Sequence, residues 1–492
     1  MNRHLQYGHL GDGELIVKPI LLGSVLFFFG SLRVNMPAET YAVAQKKLFG
    51  TSGVRGVVHK ELSAHLLTDL GRAIATSLPP HSWILIANDS RQSRFIVKDA
   101  VKKGLIAAGA RVLDVGMLPT PAVAYLTKTI GISTGIMVTA SHNPPEYNGI
   151  KLFNIDGMGY SSDQEQEIET IFFSKKFRKD EGSTQTAFDL RDYYFENLIQ
   201  PLGPNYFSHK FKVVVDPGNG AASVLATNLF YDLGLDVIPV NDLPDGSFPG
   251  RAPEPREDTL KGTYELLLKE HADLAICFDG DADRVVFMDE QGFIGYDESI
   301  TFIAALAVKS SNKKVVATTV ETGKLLDIGL QGLGGQVIRG TVGDMPVSYL
   351  TRSANAAIGV EPVGVYIMPD AGFYPNSFLA AITLIKNIKN VDEIRSFFKN
   401  LPQLHKKQLK VPCLNNAKFT LMKKVLNHYN LFGSGEPNTL DGLRLENRDS
   451  WTLIRPSGTE PIIRISAESL TEAKTQELMD QANMAITGLM RD

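Results

Sequence analysis

Cysteine is scarce in this sequence, and its scarcity excludes several classes of protein. Only Cys277 and Cys413 occur among the 492 residues. Neither lies in a CxxC or another metal-ligand spacing, which argues against a thiolate metal site and against a disulfide framework. Cys277 belongs to an apolar run at 274–278, where we expect a small buried side chain. This cysteine usage predicts a protein of the cytoplasm.

Charge of one sign is also lacking. Lys and Arg total 50 against 54 Asp and Glu, which gives a formal net charge of -4. This balance gives no electrostatic reason to expect non-specific binding to nucleic acid or to an anionic membrane. We therefore expect no nucleic acid and no stable membrane partner, and basic residues should act locally within a site.

Long hydrophobic runs are rare, and the strongest one lies near the start of the chain. Residues 20–32 are mostly apolar, but this run is shorter than the about 20 residues that a spanning helix needs. Two interpretations remain: a weak membrane or export segment, or an extension that precedes a true start at Met36. We favour the extension, because every motif described below follows Met36.

What the sequence does contain is an alternation of strand-like and helix-like stretches. Apolar strands are predicted at 83–87, 112–115 and 135–139, with helices at 66–78 and 95–108. Such alternation is typical of βαβ units and a largely parallel sheet. The fold class predicted from this pattern is α/β.

The same alternation restarts along the chain, which is too long for one hydrophobic core. After a polar stretch at 174–185, expected to be a surface connection, new blocks open at 212–216 and 314–318. A helix is expected at 221–233 and another, in a last block, at 417–428. The predicted organisation is an N-terminal extension and four domains: 1–35, 36–188, 189–297, 298–404 and 405–492.

The first chemical motif is a serine loop that follows a predicted strand. Its sequence is Thr-Ala-Ser141-His142-Asn-Pro-Pro, followed closely by Asn-Gly-Ile-Lys151. Loops at strand ends are where α/β sheets bind ligands, and a serine nucleophile needs a base or a charged partner nearby. His142 and Lys151 are the nearest candidates. The alternative is a turn whose Ser and Asn side chains only satisfy backbone groups.

The second motif is an acidic loop, Asp279-Gly-Asp281-Ala-Asp283-Arg284. Three carboxylates at alternate positions favour a cation between them, and hard oxygen ligands favour magnesium or calcium. An EF-hand is excluded, because Arg284 stands where that loop needs glycine and the flanking stretches are strand-like. The remaining alternative is a solvated acidic turn, which the apolar flanks make the weaker interpretation.

A third motif brackets a glycine and two hydroxyl residues with arginines. Backbone N–H groups, hydroxyls and guanidinium groups together suit a phosphate, although a Pro/Gly hairpin with surface arginines is the alternative. Two weaker segments are a Gly-rich loop at 49–56, without the ending of a P-loop, and a short acidic loop at 359–364. The residues of the third motif are Arg455, Ser457, Gly458, Thr459 and Arg464.

Together these five segments, in this order, resemble the α-D-phosphohexomutase superfamily over about residues 47–468. The resemblance implies three successive α/β domains with mixed sheets and a smaller C-terminal α+β domain around a central cleft. It also implies one loop per domain, for the phosphoserine, the metal, the sugar and the remote phosphate in turn.

The resemblance assigns a role to each residue at a matching motif position. Ser141 is the phosphoryl carrier, and one of its oxygens completes a Mg²⁺ site with Asp279, Asp281 and Asp283. The remaining roles are catalytic for Arg55, His142 and Lys151, with His142 or Lys151 as proton acceptor, and substrate-binding for Arg284, Glu361, Arg455, Ser457, Gly458, Thr459 and Arg464.

The activity implied is an isomerase-type transfer between hexose 1-phosphate and hexose 6-phosphate, with a hexose 1,6-bisphosphate as intermediate and activator. Mannose or glucose phosphate is the expected substrate, in a monomer or homodimer; the alternatives are a phosphoglucosamine mutase and a binding protein with weakened catalysis. One departure bears on the sugar, because Val363 stands where the family has a serine. Met345 likewise stands in a pair, Asp344-Met345, where a basic or aromatic pair is more usual.

Overall fold

The computed structural model describes residues 48–50, 52–199, 206–207, 209–458 and 460–491. The predicted extension at 1–35, its apolar run and Met36 lie outside these residues, as does Thr459. No helix in the described part is both long enough and apolar enough to cross a membrane.

The first unit is a six-stranded sheet in the order β1-β5-β4-β2-β3-β6, covered by helices on both faces. Strand β2 is apolar on both of its faces. Ile84 and Ile86 pack into one apolar cluster, while Leu85 and Ala87 pack into another. A strand buried on both faces has to be continuously apolar, which is the pattern that predicted it. The elements are β1 (Val54–Val57), α1 (Ala64–Ser77), β2 (Trp83–Asn88), α2 (Arg94–Ala107), β3 (Arg111–Met117), α3 (Thr120–Ile130), β4 (Thr134–Val138), β5 (Tyr147–Asn154), α4 (Ser162–Ser174), β6 (Ser183–Thr186) and α5 (Leu190–Ile199).

The second unit has five strands in the order β11-β10-β9-β7-β8. The helix expected at 221–233 is interrupted, because Ala221–Val224 forms a 3₁₀ turn and Leu225 has a φ of -150°. The Ala221 N–H donates to the Gly280 carbonyl at 2.9 Å, so this turn is held against the acidic loop. The elements are β7 (Lys212–Asp216), α6 (Ala226–Asp232), β8 (Asp236–Pro239), α7 (Lys261–Lys269), β9 (Leu274–Phe278), β10 (Val285–Asp289) and β11 (Gly292–Ile294).

The third unit has a four-stranded sheet in the order β13-β12-β14-β15. Its central strand β12 is parallel to both neighbours, β13 and β14, whereas β15 runs antiparallel. The elements are α8 (Tyr296–Ser310), β12 (Val315–Thr319), α9 (Leu325–Gln331), β13 (Gln336–Gly340), α10 (Asp344–Ser353), β14 (Ile358–Glu361), β15 (Val365–Ile367), α11 (Ser377–Lys386) and α12 (Asp392–Phe398).

The fourth unit differs, because its five strands, in the order β16-β20-β19-β18-β17, are all antiparallel. This sheet packs against two helices around an apolar core of its own, which includes Cys413 and Ile465. The elements are β16 (His405–Pro412), α13 (Lys418–Asn427), β17 (Glu436–Asn438), β18 (Leu443–Glu446), β19 (Ser450–Pro456), β20 (Ile462–Ser469) and α14 (Glu472–Arg491).

These sheets confirm the predicted fold class of three α/β units with mixed sheets and a smaller C-terminal α+β unit. Cys277 and Cys413 are both free and buried. The polar stretch expected to be a surface connection is outside helices and strands over residues 175–182, and its last residues enter strand β6, which pairs parallel to β3. Its side chains are exposed, and an edge strand with exposed side chains has no need of apolar residues.

The first three units place their functional loops at the same point of the sheet. In each unit the loop joins a central strand to an antiparallel neighbour: β4 to β5, β9 to β10 and β14 to β15. One continuous apolar core, including Leu126, Phe278 and Phe378, runs through all three units. The shared core and the shared loop position bring the serine loop, the acidic loop and the short loop between β14 and β15 towards one site.

Candidate active site

Ser141 lies three residues beyond the buried strand β4 and is itself buried. Its Oγ donates a hydrogen bond to Asp279 Oδ2 at 2.8 Å. His142 Nδ1 lies 3.3 Å from the same Oγ. The serine therefore has a carboxylate of the second unit on one side and an imidazole on the other, which is the arrangement expected of an activated nucleophile.

The acidic loop places three buried carboxylates together at the β9–β10 turn, and both flanks are strands, as predicted. Asp279, Asp281 and Asp283 each offer an oxygen, and these oxygens lie within 4.8 Å of one another. Asp281 Oδ2 accepts hydrogen bonds from Thr120 Oγ1 at 2.6 Å and from Lys151 Nζ at 2.7 Å. Oδ1 of Asp281 and Oδ1 of Asp283 are buried without a hydrogen-bond partner. Two orphaned carboxylate oxygens beside a third carboxylate fit a divalent cation such as magnesium.

The carboxylates of this loop do not share one electrostatic environment. Burial raises the pKa of Asp279 well above its usual range, and the charges of Asp283 and Asp281 raise it further. Burial also opposes ionisation of Asp281, but the adjacent Lys151 ammonium outweighs it and lowers the pKa of Asp281 below its usual value. Lys151, Arg284 and Arg55 thus compensate part of the acidic charge, and the pKa of Asp279 nevertheless stays well above its usual range.

Four basic side chains surround the serine and the carboxylates. Lys151, on β5, hydrogen-bonds to both Asp281 and Asp283, and burial lowers its pKa less than these carboxylates raise it. Arg55 Nη1 donates to Asn143 Oδ1 at 3.1 Å, and its Nε is buried without a partner.

Arg284 and His142 are the other two basic groups. Arg284 Nε lies 3.9 Å from Asp283 Oδ1 and is also buried without a hydrogen-bond partner. The nearby Arg284 charge, burial and the Arg55 charge lower the pKa of His142 well below its usual value, which keeps the imidazole neutral.

Glu361 is the last residue of β14 and is buried at the edge of the site. Its Oε1 accepts the Gly343 N–H at 2.9 Å. Burial and, to a smaller degree, the Asp344 carboxylate raise the pKa of Glu361 to about 8. Val363 is partly buried and packs against the apolar cluster that contains Val347. Its side chain therefore contributes to the packing of the third unit.

The C-terminal loop brings two arginines together on paired strands, since Arg455 of β19 and Arg464 of β20 are register partners. Arg455 pairs with Asp441 at 2.9 Å and with Glu321 of the third unit at 3.0 Å. Arg464 pairs with Glu460, and Ser457 Oγ accepts the Glu460 N–H at 3.1 Å. Gly458 is exposed, and Thr459 lies outside the described residues. The predicted phosphate-binding arginines are thus balanced by carboxylates within this loop and its neighbours.

Some residues of the site carry no motif that sequence reasoning could use. Thr120 begins α3 and contacts Asp281, a residue 161 positions away. Asp89 and Arg91 contact the serine loop directly, and their only signal is a position just beyond the buried strand β2. Asp344 acts on Glu361 from the first turn of α10. Only the fold places these side chains at the site.

Comparison with known proteins gives the same family for four consecutive segments of the chain. Four phosphoglucomutase/phosphomannomutase domain models match it: alpha/beta/alpha domains I, II and III over residues 46–179, 192–292 and 296–405, and the C-terminal domain over 409–484. A solved phosphoglucomutase/phosphomannomutase family protein from Burkholderia thailandensis has a TM-score of 0.78 and 26% identity, covering 90% of this chain and 97% of that one.

Two relatives carry the name probable phosphoglucosamine mutase. The one from Pyrococcus abyssi is 37% identical over 446 residues, which covers 89% of this chain and 98% of the relative. The one from Methanothermobacter thermautotrophicus is 37% identical over 442 residues, which covers 88% and 96%.

The fold, the site and these matches define an intramolecular phosphotransferase of the isomerase class. The chain belongs to the phosphoglucomutase/phosphomannomutase family, whose domain models account for all four units. The resemblance to the α-D-phosphohexomutase superfamily and the predicted enzyme class are confirmed.

Proposed function

We propose that this enzyme is a phosphoglucosamine mutase, which interconverts glucosamine 1-phosphate and glucosamine 6-phosphate. The observation that carries this proposal is the relatedness to proteins of that name at 36–37% identity over nearly their full length. Mannose or glucose phosphate, the substrate expected from the sequence, becomes the second candidate.

The charges of the third unit support an amino sugar. Glu361 and Asp344 are two acidic groups at one side of the site, and burial together with the Asp344 charge favours the protonated form of Glu361. A positive charge beside Glu361 would lower its pKa and favour the ionised carboxylate. Only Arg284 lowers the pKa of Glu361 among the charged groups that act on it most strongly. An ammonium group on the sugar would add a positive charge beside these carboxylates, whereas the hydroxyl of glucose or mannose would not. Glu361 is therefore the proposed contact to the amine-bearing side of the sugar.

The proposed reaction passes the phosphoryl group through Ser141. The free hydroxyl oxygen of the sugar phosphate forms a bond to the phosphorus of phospho-Ser141, and the bond between that phosphorus and Ser141 Oγ breaks. The sugar hydroxyl proton passes to His142, which returns a proton to the released Ser141 Oγ, because Lys151 already donates to two carboxylates and His142 Nδ1 lies 3.3 Å from that oxygen. The bisphosphate then turns over, and the same steps in reverse return its other phosphoryl group to Ser141.

Asp279, Asp281 and Asp283 are the proposed magnesium ligands, together with an oxygen of phospho-Ser141. A bound magnesium ion would offset negative charge on the transferring phosphoryl group. Arg55 and Arg284, each with a buried and unpartnered Nε, would do the same from the protein side. Arg455, Ser457, Gly458, Thr459 and Arg464 are proposed to hold the phosphate that is not reacting, which fixes the sugar in either orientation.

The test is a panel of glucosamine, glucose and mannose 1-phosphates with magnesium and a trace of the matching bisphosphate as activator. We expect kcat/KM to be highest for glucosamine 1-phosphate by about tenfold or more, which is an ordinary consequence of one added charged contact. Glu361→Gln should reduce that preference, while Glu477→Gln on the exposed face of α14 serves as control. A preference for glucose or mannose would support the second candidate, and no turnover of any sugar would favour a binding protein.

A further inference from the structure

One fully buried arginine, Arg91, donates hydrogen bonds to several backbone carbonyls of the serine loop. Arg91 Nη2 donates to the carbonyls of Ser141 at 2.8 Å and Asn143 at 2.6 Å. Its Nη1 donates to the carbonyls of Pro144 at 2.6 Å and Tyr147 at 2.9 Å. Four backbone acceptors on one guanidinium fix the path of the loop through a single side chain.

The same arginine belongs to a chain of hydrogen bonds that reaches the other side of Ser141. Asp89 accepts from Arg91 Nε at 3.2 Å and from Thr139 Oγ1 at 2.6 Å. Thr139 Oγ1 in turn accepts the Ser141 N–H at 2.8 Å. The N–H and the carbonyl of Ser141 are therefore both held, one through Thr139 and Asp89 and the other by Arg91.

Ser141 needs this restraint because its backbone is unusual. Its φ is +50°, in the left-handed region that residues with a side chain rarely adopt. Such conformations persist only where the surroundings over-determine them, and they cluster at functional sites. The conformation directs Oγ towards Asp279, so a relaxed loop would move the serine away from the carboxylates.

Contacts with the second unit extend the same restraint across the domain boundary. Arg91 lies against Gly246 and stacks over the Phe248 ring at 5.3 Å. Gly280, in the acidic loop, approaches so closely that an added Cβ would lie 2.4 Å from the Ser141 carbonyl oxygen. The residues that hold the serine backbone therefore also adjoin the unit that supplies the three carboxylates.

The acidic loop is also held by a buried arginine that pairs with an aspartate, so this arrangement occurs twice at the site. Arg251 pairs with Asp216 at 2.8 Å and donates to the Phe278 carbonyl at 2.6 Å, immediately before Asp279. Each of the two loops that meet at Ser141 Oγ is thus held by a buried arginine and its aspartate.

We propose that Asp89, Arg91 and Thr139 are positioning residues that hold Ser141 in its left-handed conformation for phosphoryl transfer. The inference rests on the proposed role of Ser141 as phosphoryl carrier. It assigns no contact with the substrate to these residues, and it predicts that they set the rate of transfer and not the binding of the sugar phosphate.

Two substitutions test the proposal, and a third residue provides the control. Arg91→Lys keeps the charge but cannot reach four carbonyls, and Thr139→Val removes the acceptor for the Ser141 N–H at nearly constant volume. Arg178→Lys is the matched control. Arg178 also donates to three backbone carbonyls of the first unit, including Leu78 at 2.8 Å. Leu78 precedes strand β2, whereas Asp89 follows it, so Arg178 acts at the other end of the sheet.

Two readouts separate positioning from simple stability. The first is the rate constant for phosphorylation of Ser141 by glucose 1,6-bisphosphate in a single turnover, together with kcat and KM for the best sugar phosphate. The second is amide hydrogen exchange of the peptide spanning residues 139–147, which needs no substrate. We expect Arg91→Lys to slow phosphorylation and kcat by about a hundredfold, the usual effect of a misplacement near 1 Å, with KM nearly unchanged.

Thr139→Val should have the same effect to a smaller degree, and both variants should exchange faster in that peptide. Arg178→Lys should lower the melting temperature without changing kcat or that exchange. The proposal is overturned if Thr139→Val, or a folded Arg91→Lys, keeps wild-type kcat and wild-type exchange while losing only thermal stability. If the wild type itself fails to accept a phosphoryl group, the proposed function fails, and the exchange readout still decides whether these residues hold the loop.

Discussion

The Ser141 hydroxyl donates a hydrogen bond to Asp279 Oδ2, and the Ser141 backbone is held in a left-handed conformation. This hydroxyl is the proposed phosphoryl carrier. We expect Ser141→Ala to abolish turnover, because the carrier oxygen is lost while the side chain loses little volume. Intact-mass measurement should find one phosphate on the wild type and none on the variant. Ser310→Ala, at the exposed end of α8, should keep both phosphate and activity. Near-normal activity of Ser141→Ala would contradict the mechanism.

Asp281 Oδ1 is buried without a hydrogen-bond partner and is therefore available to bind a cation. We expect Asp281→Asn to raise the magnesium concentration needed for half-maximal activity by about tenfold or more and to lower kcat, since a neutral amide replaces a hard anionic ligand. A magnesium titration of activity measures both effects, and EDTA should abolish the activity of the wild type.

The exposed Asp258→Asn is the control in the same unit, and its magnesium dependence should match the wild type. Full activity of the wild type in metal-free buffer would rule out the acidic loop as a metal site.

At the scale of single residues, the sequence identified the site residues that belong to contiguous motifs. Ser141, the three aspartates and Lys151 were predicted to share one site because each motif is local, and the fold does bring them into contact. Thr120 and Arg91 were missed because their role depends on contacts between distant segments. A lone threonine at the start of a helix, or a lone arginine after a strand, has many ordinary explanations. The catalytic and binding roles themselves remain predictions.

At the scale of elements, helix α10 joins the third unit to the first. Tyr349 Oη donates to the Gly159 carbonyl at 3.2 Å, and Arg352 pairs with Asp156 at 2.9 Å. The Met345 side chain also packs on Gly159, where an added Cβ would lie 2.6 Å from Met345 Cγ. The first turn of α10 carries Asp344, which faces the site, so this packing helps to locate an acidic group of the site.

We expect Gly159→Ala to displace α10, destabilise the protein by about 1–3 kcal/mol through overpacking and lower kcat/KM several-fold. Met345→Ala should relieve the clash, so the double variant Gly159→Ala/Met345→Ala should recover most of both losses. A double-mutant cycle on melting temperature and kcat/KM measures the coupling. Strictly additive effects would show that the helix does not depend on this contact.

Elements were predicted where the apolar pattern was continuous, and missed where packing decided the outcome. Strand β7 has the predicted bounds, and α2 differs from its prediction by one residue at each end. The break at Leu225 was not predictable, because the backbone of Ala221 bends to meet Gly280, a contact between distant segments. Strand β6 was missed because its polar residues carry no strand-like alternation.

At the scale of the whole molecule, the third and fourth units meet through a partly buried ionic network. Arg444 donates to the carbonyls of Val320 and Thr322 of the third unit at 2.6 and 3.0 Å. Glu446 pairs with Arg444 at 2.9 Å and with Lys324 at 2.8 Å. Burial would raise the pKa of Glu446, but Arg444 and Lys324 outweigh it and lower this pKa from 4.5 to about 2.

This shift predicts an acid-sensitive boundary. A carboxyl with a lowered pKa stabilises the folded state above pH 4.5, and this contribution is lost as the pH falls to about 2. We expect Glu446→Gln to cost roughly 1–2 kcal/mol at neutral pH, after allowance for partial exposure. The difference in melting temperature between wild type and variant should then shrink through that pH window.

Glu477→Gln, which removes an exposed ion pair on α14, should show a small difference at every pH. A Glu446→Gln difference that stayed constant from neutral pH down to the acid limit would contradict the assignment of this ionic network.

The separate core of the fourth unit has a thermal consequence. The first three units share one apolar core and should melt as a single block, whereas the fourth adjoins them through ion pairs and a small cluster of Val320, Trp451 and Leu453. Dissolved ions screen charge pairs far more than apolar contacts. Calorimetry should therefore record two heat-absorption peaks, and added sodium chloride should shift the peak of the fourth unit to lower temperature relative to the other. A single peak that moves as one with salt would mean that the four units melt together.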